Sequence, residues 1–343
     1  MTDRATTTTR TPLMSVRGLT KDFRTGGLFS RDRHRALNAV DLDIPHGRIV
    51  ALVGESGSGK STLARCLARL EQPTSGQLLL DGRDVLRTQR RGASRAYRGT
   101  VQMVFQDPFG SLNPVHRVEH FLRRALLVHG RPAGEDELRE LIATVGLSED
   151  MLQSYPHELS GGQRQRVAIA RALAVDPRLV LADEPTSMLD VSVRIGILNL
   201  MRRLRDEHGI SMLYITHDLA SARYLADTTQ VLFAGELVEG GDSLALMDRP
   251  AHPYTRLLLS AVPDPERESG YDPVERAALR AAVLTPESCP YEDEGTCSRT
   301  EPVRHVIGED EGQPHWVRCH LYAPATPTAR RVLTAATPEA ENV

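Results

Sequence analysis

The sequence predicts an α/β fold built on a parallel sheet, and three observations carry that expectation. Five short runs, at 49–53, 101–105, 179–182, 212–216 and 230–233, are apolar almost throughout rather than alternating, the pattern of strands covered on both faces. Helical patterns at about 60–70, 163–175, 191–207 and 218–226 separate these runs, which makes a layered α/β architecture. A glycine-rich segment, 54–61, joins the first strand to the first helix, and open sheets of this kind bind ligands at the carboxyl ends of their strands.

Between about 114 and 158 the alternation stops. Phe121, Leu122, Ala125 and Leu126, then Leu138, Leu141, Ile142 and Val145, recur at helical spacing, so a helical insertion in the α/β core is expected. After Gly240 the proline content rises, with His252-Pro253 and Pro263-Asp264-Pro265 as punctuation, and a small C-terminal extension is expected there. Residues 1–12 and 323–343, rich in Thr, Ala and Pro, read as tails.

Composition bounds the function. With 343 residues, 42 basic against 45 acidic groups and 40% apolar residues, the chain has the makings of one large core plus an appended piece, and wholesale disorder is excluded. The near-neutral balance argues against a dedicated nucleic-acid binder. No apolar run approaches the roughly 18 residues that span a bilayer. The Thr-rich start lacks the apolar stretch of a secretory signal, and four scattered cysteines, at 66, 289, 297 and 319, make no disulfide framework. A cytoplasmic, thiol-reducing setting is expected. Only Lys21 and Lys60 are lysines; every other basic residue is arginine.

Gly54-Glu55-Ser56-Gly57-Ser58-Gly59-Lys60-Ser61 matches G-x-x-x-x-G-K-[ST], and its place between a strand and a helix is the context that gives this motif its meaning. The glycines let the backbone wrap a phosphate, with amides between Gly57 and Thr62 converging at a helix start. Lys60 can reach β/γ oxygens, and the Ser61 hydroxyl can ligate Mg²⁺. The strand at 179–182 ends in Asp183-Glu184: Asp183 is placed to face the metal, and Glu184 to polarise a water for in-line attack on a γ-phosphate. Ser160-Gly161-Gly162-Gln163 opens a second helix with unblocked amides and a hydroxyl, another anion-binding helix start. Either one chain binds two anions, or each nucleotide is clamped between the first site of one subunit and the second site of another.

Phosphate loop, Leu159-Ser160-Gly161-Gly162-Gln163 and the apolar strand ending in Asp183-Glu184, in this order, resemble the nucleotide-binding subunits of ATP-binding-cassette (ABC) transporters over roughly residues 13–263. The resemblance implies a P-loop NTPase cassette: a RecA-like parallel-sheet core, an N-terminal antiparallel β subdomain and a helical subdomain at about 107–162. The nucleotide-binding domain would span 13–242, followed by an extension at 243–322. ATP with Mg²⁺ would be sandwiched between two head-to-tail subunits. By the same resemblance Gln106 lies in the Q-loop, contacting Mg²⁺ and coupling to membrane subunits, and His217 is the switch histidine at the γ-phosphate. Phe23, with Phe29 as a weaker competitor, would stack on adenine. Ser187-Met188-Leu189-Asp190 would be the D-loop, where Met188 replaces a usually smaller residue.

The segments around Phe105-Gln106-Asp107-Pro108 and His252-Pro253-Tyr254-Thr255 are similar to the oligopeptide/dipeptide/nickel importer ATPases. That implies an ATP-hydrolysing subunit on the cytoplasmic face of the cell membrane. Its partners would be a second cassette, identical or paralogous, two permeases and, through them, an extracytoplasmic solute-binding protein, with no nucleic acid. The competing readings are a soluble ABC ATPase without permeases, an importer of nickel or another solute, and an exporter. The subfamily also implies a [4Fe–4S] cluster in the extension. Cys289, Cys297 and Cys319 match three of its four cysteines, while the first falls near Val283. Three thiolates complete neither a usual cluster nor a tetrahedral Zn site, so a fourth ligand would have to come from His305, His315, His320 or a nearby carboxylate.

Overall fold

The computed structural model describes residues 11–25, 32–89, 92–107, 110, 112–261, 274, 277, 280, 302–310, 312–319 and 322. They divide into two compact units, Met1–Ile49 with Ser61–Ile215, and Val50–Lys60 with Thr216–Val343.

The first unit opens with an antiparallel sheet. β1 (Met14–Arg24) pairs with β2 (Arg33–Ile44), and the segment Ile49–Val53 that follows is β3. In β2, buried Val40, Leu42 and Ile44 alternate with exposed Asp41 and Asp43, the period of a half-covered strand. The register shifts near Ala39, whose φ is +46°, and the Ala39 N–H donates to the Thr20 hydroxyl at 3.1 Å. Helix α1 (Lys60–Leu67) leads to β4 (Ser75–Leu80) and β5 (Arg83–Asp84), giving the order β2-β1-β4-β5. Lys21 belongs here: its ammonium donates to Glu71 Oε2 at 3.0 Å and to the Gln72 carbonyl at 2.8 Å, and lies 4.7 Å from the Phe23 ring centroid. One compact, three-donor head thus ties β1 to the chain leaving α1.

Two short helices, α2 (Val85–Thr88) and α3 (Arg95–Thr100), are capped by the side chains of Asp84 and Ser94 and lead into β6 (Val101–Val104). The helical insertion follows as α4 (Val118–Val128), α5 (Glu135–Thr144) and two 3₁₀ turns. Buried Phe121, Leu122, Leu138 and Ile142 make its apolar faces. Helix α6 (Gly161–Leu173), β7 (Leu179–Asp183), α7 (Val191–His208) and β8 (Ser211–Thr216) complete the run, with β6, β7 and β8 parallel and in register. Every residue of β7 and β8 is buried, as their unbroken apolar character requires. Arg166 of α6 joins the insertion to α7, donating to the Val145 carbonyl at 2.6 Å and the Gly196 carbonyl at 3.3 Å.

In the second unit β3 pairs in parallel with β9 (Thr228–Phe233), which follows α8 (Leu219–Leu225). β10 (Glu236–Asp242) turns back beside β9, and α9 (Ser243–Asp248) and α10 (Pro253–Leu259) follow. The C-terminal residues do not stand apart: β11 (Arg304–Asp310) and β12 (Gln313–Arg318) form a hairpin whose β12 pairs with β10 through Glu239 and Gly240. At that junction Glu239 has no exposed surface. Its carboxylate accepts the N–H groups of Ala251 and His252 at 2.8 and 2.9 Å and pairs with His315 Nε2 at 2.9 Å. A buried carboxylate supplied with three partners is tolerated where a bare one is not.

His252 caps α10, its Nδ1 accepting the Tyr254 N–H at 3.1 Å. Burial, with Arg256 adding and Glu239 opposing, pushes its pKa down to about 4, so the ring stays in the neutral form that can accept. An unfolded histidine titrates near 6.5, so between about pH 6.5 and 4 the unfolded chain takes up a proton that the native one refuses. The stability His252 contributes is therefore complete above pH 6.5 and is lost as pH falls through 4. His252→Asn, which keeps a side-chain acceptor at the cap, should flatten the fall of the thermal midpoint over that window; parallel slopes for the two proteins would contradict this account.

Candidate active site

The phosphate loop leaves β3 through three glycines with positive φ, Gly54 at +155°, Gly57 at +84° and Gly59 at +108°. Gly54 cannot be replaced without movement, because a Cβ there would lie 2.2 Å from the Leu232 carbonyl oxygen. Glu55, Ser56 and Gly57 are exposed at the rim, while Gly54, Ser58 and Lys60 are buried. Lys60 Nζ donates to the carbonyls of Gly54 and Glu55, both at 2.7 Å, so the ammonium spans the loop it ends. Two struts hold the loop from outside: the Gly235 N–H donates to the Ser58 carbonyl at 2.9 Å, and the Glu55 N–H donates to the Tyr254 hydroxyl at 2.7 Å. The buried Ser58 hydroxyl has no hydrogen-bond partner, a polar atom left for a ligand. Positive-φ glycines in such a loop gather backbone N–H groups into an anion-binding nest, and this loop fits a phosphate chain.

In the first unit the strand-end acids meet two further predicted residues. Ser61 Oγ donates to Asp183 Oδ1 at 2.9 Å, with Asp183 4% exposed. Gln106 Nε2 donates to Glu184 Oε2 at 3.3 Å. Ser61, Gln106 and Asp183 line one cavity of about 520 Å³, together with Arg65 and Arg171. A hydroxyl and a carboxylate side by side are hard oxygen donors, a set that fits Mg²⁺. Glu184 sits at φ +46°, a conformation that costs on the order of 1–3 kcal/mol for a non-glycine residue and collects at functional sites. Its N–H is held by the Ile215 carbonyl at 3.0 Å, and its own carbonyl accepts the Ser187 hydroxyl at 3.1 Å.

Ser160 caps α6 in a reciprocal box: its Oγ accepts the Gln163 N–H at 3.3 Å, and Gln163 Oε1 accepts the Ser160 N–H at 2.8 Å. Ser160 is exposed, Gly161 half-buried, and Gly162 buried against α7, where a Cβ would lie 2.3 Å from Val193 Cγ1. Thr62 follows Ser61 in the first turn of α1, half-buried. Met188 is 62% exposed, and Val191 and Ile195 share its exposure at the start of α7. In the second unit His217 is exposed just beyond β8, in a turn fixed by the Asp218 N–H donating to Thr216 Oγ1 at 2.9 Å. Phe23 is half-buried on β1 and lies under Lys21, which belongs to neither phosphate motif; Phe29 lies outside the described residues.

Cys289, Cys297, His320 and Val283 lie outside the described residues. Cys319 packs against Ala251, Val317 and Tyr322, and His315 is engaged by Glu239. Among the described residues no group of three His, Cys, Asp or Glu could hold a metal ion. Cys66 is 1% exposed on α1, where burial pushes its thiol up to about 12, as suits a small apolar residue rather than a reactive one.

The ABC transporter family matches residues 37–187, and the family described as oligopeptide/dipeptide transporter, C-terminal region, matches residues 238–301. The oligopeptide transport ATP-binding protein AppF of Bacillus subtilis is 39% identical over 310 residues, covering 87% of this chain and 93% of AppF. The chain belongs to the ABC transporter family. A second member, the dipeptide transport ATP-binding protein DppF of Escherichia coli, is 41% identical over 288 residues, 82% of this ABC chain and 85% of DppF. Among solved structures, the ATP-binding cassette MJ0796, a dimer in a post-hydrolysis state bound to ADP and Pi, is 30% identical with a TM-score of 0.59, covering 67% of this chain and 98% of that one. The α/β cassette expected from the motifs is thereby found in both sequence and fold.

Sequence reasoning missed Tyr254 as a part of this site. It stood in a segment that resembled a subfamily, but nothing in the sequence said that its hydroxyl meets the phosphate loop. The packing of Gly162 gives a direct test: Gly162→Ala should lose about 1–3 kcal/mol of stability by overpacking, and Gly162→Ala with Val193→Ala should recover part of it. A single variant as stable as the parent would show that α6 and α7 are not in contact there.

Proposed function

We propose that the chain is the ATP-binding and ATP-hydrolysing subunit of an ABC importer for di- or oligopeptides. The observation that carries the reading is the end of β7, where Asp183 holds the Ser61 hydroxyl and the strained Glu184 meets Gln106. Glu184 takes the proton of a water as it attacks the γ-phosphorus, giving ADP and inorganic phosphate. Lys60, held by the loop carbonyls of Gly54 and Glu55, balances charge on the β/γ oxygens with its ammonium, and His217 contacts the γ-phosphate. The amides from about Gly57 to Thr62 cradle the phosphates, in the wrap formed by Gly54, Glu55, Ser56, Gly57, Ser58 and Gly59. Phe23 stacks on adenine. Ser61, Gln106 and, through water, Asp183 would hold Mg²⁺. When bound, the ion screens charge between the β- and γ-phosphates.

Ser160, Gly161, Gly162 and Gln163 serve the nucleotide of the second cassette, identical or paralogous. Their support is that Ser160 at the start of α6 is exposed, as are Met188 and Val191 at the start of α7. Two permeases dock on the insertion, where a groove of about 870 Å³ is lined by Leu112, His116, His120, Phe121, Arg124 and Val128. The permeases hold the subunit at the cytoplasmic membrane face and link it to an extracytoplasmic solute-binding protein. No helix among the described residues is long and apolar enough to cross a membrane. The domain division proposed is 13–242 for the cassette, with its helical part at about 107–162, and 243–322 for the extension. An iron–sulfur cluster on Cys289, Cys297 and Cys319 is the remaining reading of the extension; iron and sulfide in anaerobically purified protein would support it, and a colourless, iron-free preparation would exclude it.

Glu184→Gln should retain ATP binding and lower phosphate release by at least about a hundredfold, while favouring a dimer; unchanged release would remove Glu184 as the base. The wild-type subunit captured in mild detergent should bring two multispanning proteins with it. Their absence would favour an ABC ATPase that works without permeases.

A further inference from the structure

Tyr254 has no exposed surface, and its ring centroid lies 4.5 Å from that of Phe233. Its hydroxyl accepts the Glu55 N–H at 2.7 Å. That N–H shares a peptide unit with the Gly54 carbonyl, which accepts from Lys60 Nζ at 2.7 Å. A trans peptide is planar and points its N–H and C=O in opposite directions. Fixing the N–H on Tyr254 therefore aims the carbonyl at the ammonium.

Tyr254 is itself held from the C-terminal side. Its N–H is capped by His252 Nδ1 at 3.1 Å, and the N–H groups of Ala251 and His252 end on Glu239. Glu239 in turn pairs with His315 of β12. An unbroken set of hydrogen bonds and short covalent steps runs from the hairpin, through Glu239 and the start of α10, to the phosphate loop. All of it lies in the second unit. The buried Tyr254 ring, wedged on Phe233, keeps the hydroxyl from following the loop if the loop moves.

We infer that Tyr254 is a positioning residue for the nucleotide: its hydroxyl sets the peptide that orients Lys60, and through it the C-terminal hairpin acts on the phosphate site. The inference deepens the nucleotide-binding reading above and rests on it. It gives the extension a role in the same chain's ATP site, separate from any docking to partners.

The test compares the full chain with Tyr254→Phe, which keeps the ring and removes the hydroxyl. With MgATP as the probe, KM should rise about fivefold, the worth of one hydrogen bond, while kcat stays within about twofold. In the unmodified chain the Glu55 amide should exchange slowly although its side chain is exposed, and in the variant it should exchange faster with the amides of α7 unchanged. A lowered melting temperature with unchanged KM and unchanged Glu55 exchange would overturn the inference and leave Tyr254 a packing residue. If neither protein binds ATP, the nucleotide reading fails, and the Glu55 exchange alone decides whether the clamp exists.

Discussion

The site depends on how β3 is brought to an end. The chain turns so close to β9 that only glycine fits at position 54, and it is held in that turn by the Lys60 ammonium bonded back to the carbonyls of Gly54 and Glu55. The ammonium is almost fully removed from water, so its hydrogen bonds to the loop are obligatory rather than decorative. A lysine can do this because its head is compact and its three donors point apart; arginine's planar fork is too broad for a ring of this size. In a chain whose other basic residues, Lys21 aside, are all arginine, the lysine at position 60 is explained by this geometry. Lys21 has an explanation of the same kind, since its head is shared among Glu71, Gln72 and the face of Phe23.

From that turn the remaining features follow by chain continuity. Ser61, half-buried in the first turn of α1, reaches Asp183 at the end of β7, and Glu184 follows Asp183 in a left-handed conformation, its N–H bonded to the Ile215 carbonyl. Glu184 takes its positive φ immediately past the end of β7, and its carboxylate accepts from Gln106. At the second helix start Gly162 is small because Val193 leaves no room for a side chain. Gly162 packs against Val193, while Gly161 is half-buried near Leu189 and Ser160 is exposed.

Much of this was legible in the sequence because it is written in unbroken apolar runs and in contiguous motifs. The strands β3, β6, β7, β8 and β9 all fall on the runs that lacked alternation, and the helices of the insertion fall on Phe121–Leu122 and Leu138–Ile142 spacing. The N-terminal sheet was reached only through family resemblance. Its strands are half-covered, and the register shifts near Gly18 and Ala39 interrupt the period-two pattern that would have marked them. The β11–β12 hairpin was invisible for a plainer reason: along β11 no residue is fully buried, and the hairpin gains its order from pairing with β10 rather than from a pattern of its own. Lys21 and Tyr254 escaped because their partners, Glu71 and Glu55, lie far away in sequence, and a single long-range hydrogen bond leaves no periodic trace.

The account stands or falls on Lys60 acting as a compact ammonium inside the loop. The most direct measurement is phosphate release from MgATP by Lys60→Arg, which preserves the charge and changes only the shape of the donor. The account predicts a folded protein whose hydrolysis falls by at least about a hundredfold. Hydrolysis at the parent rate would contradict it, because the loop would then need a positive charge but not this geometry.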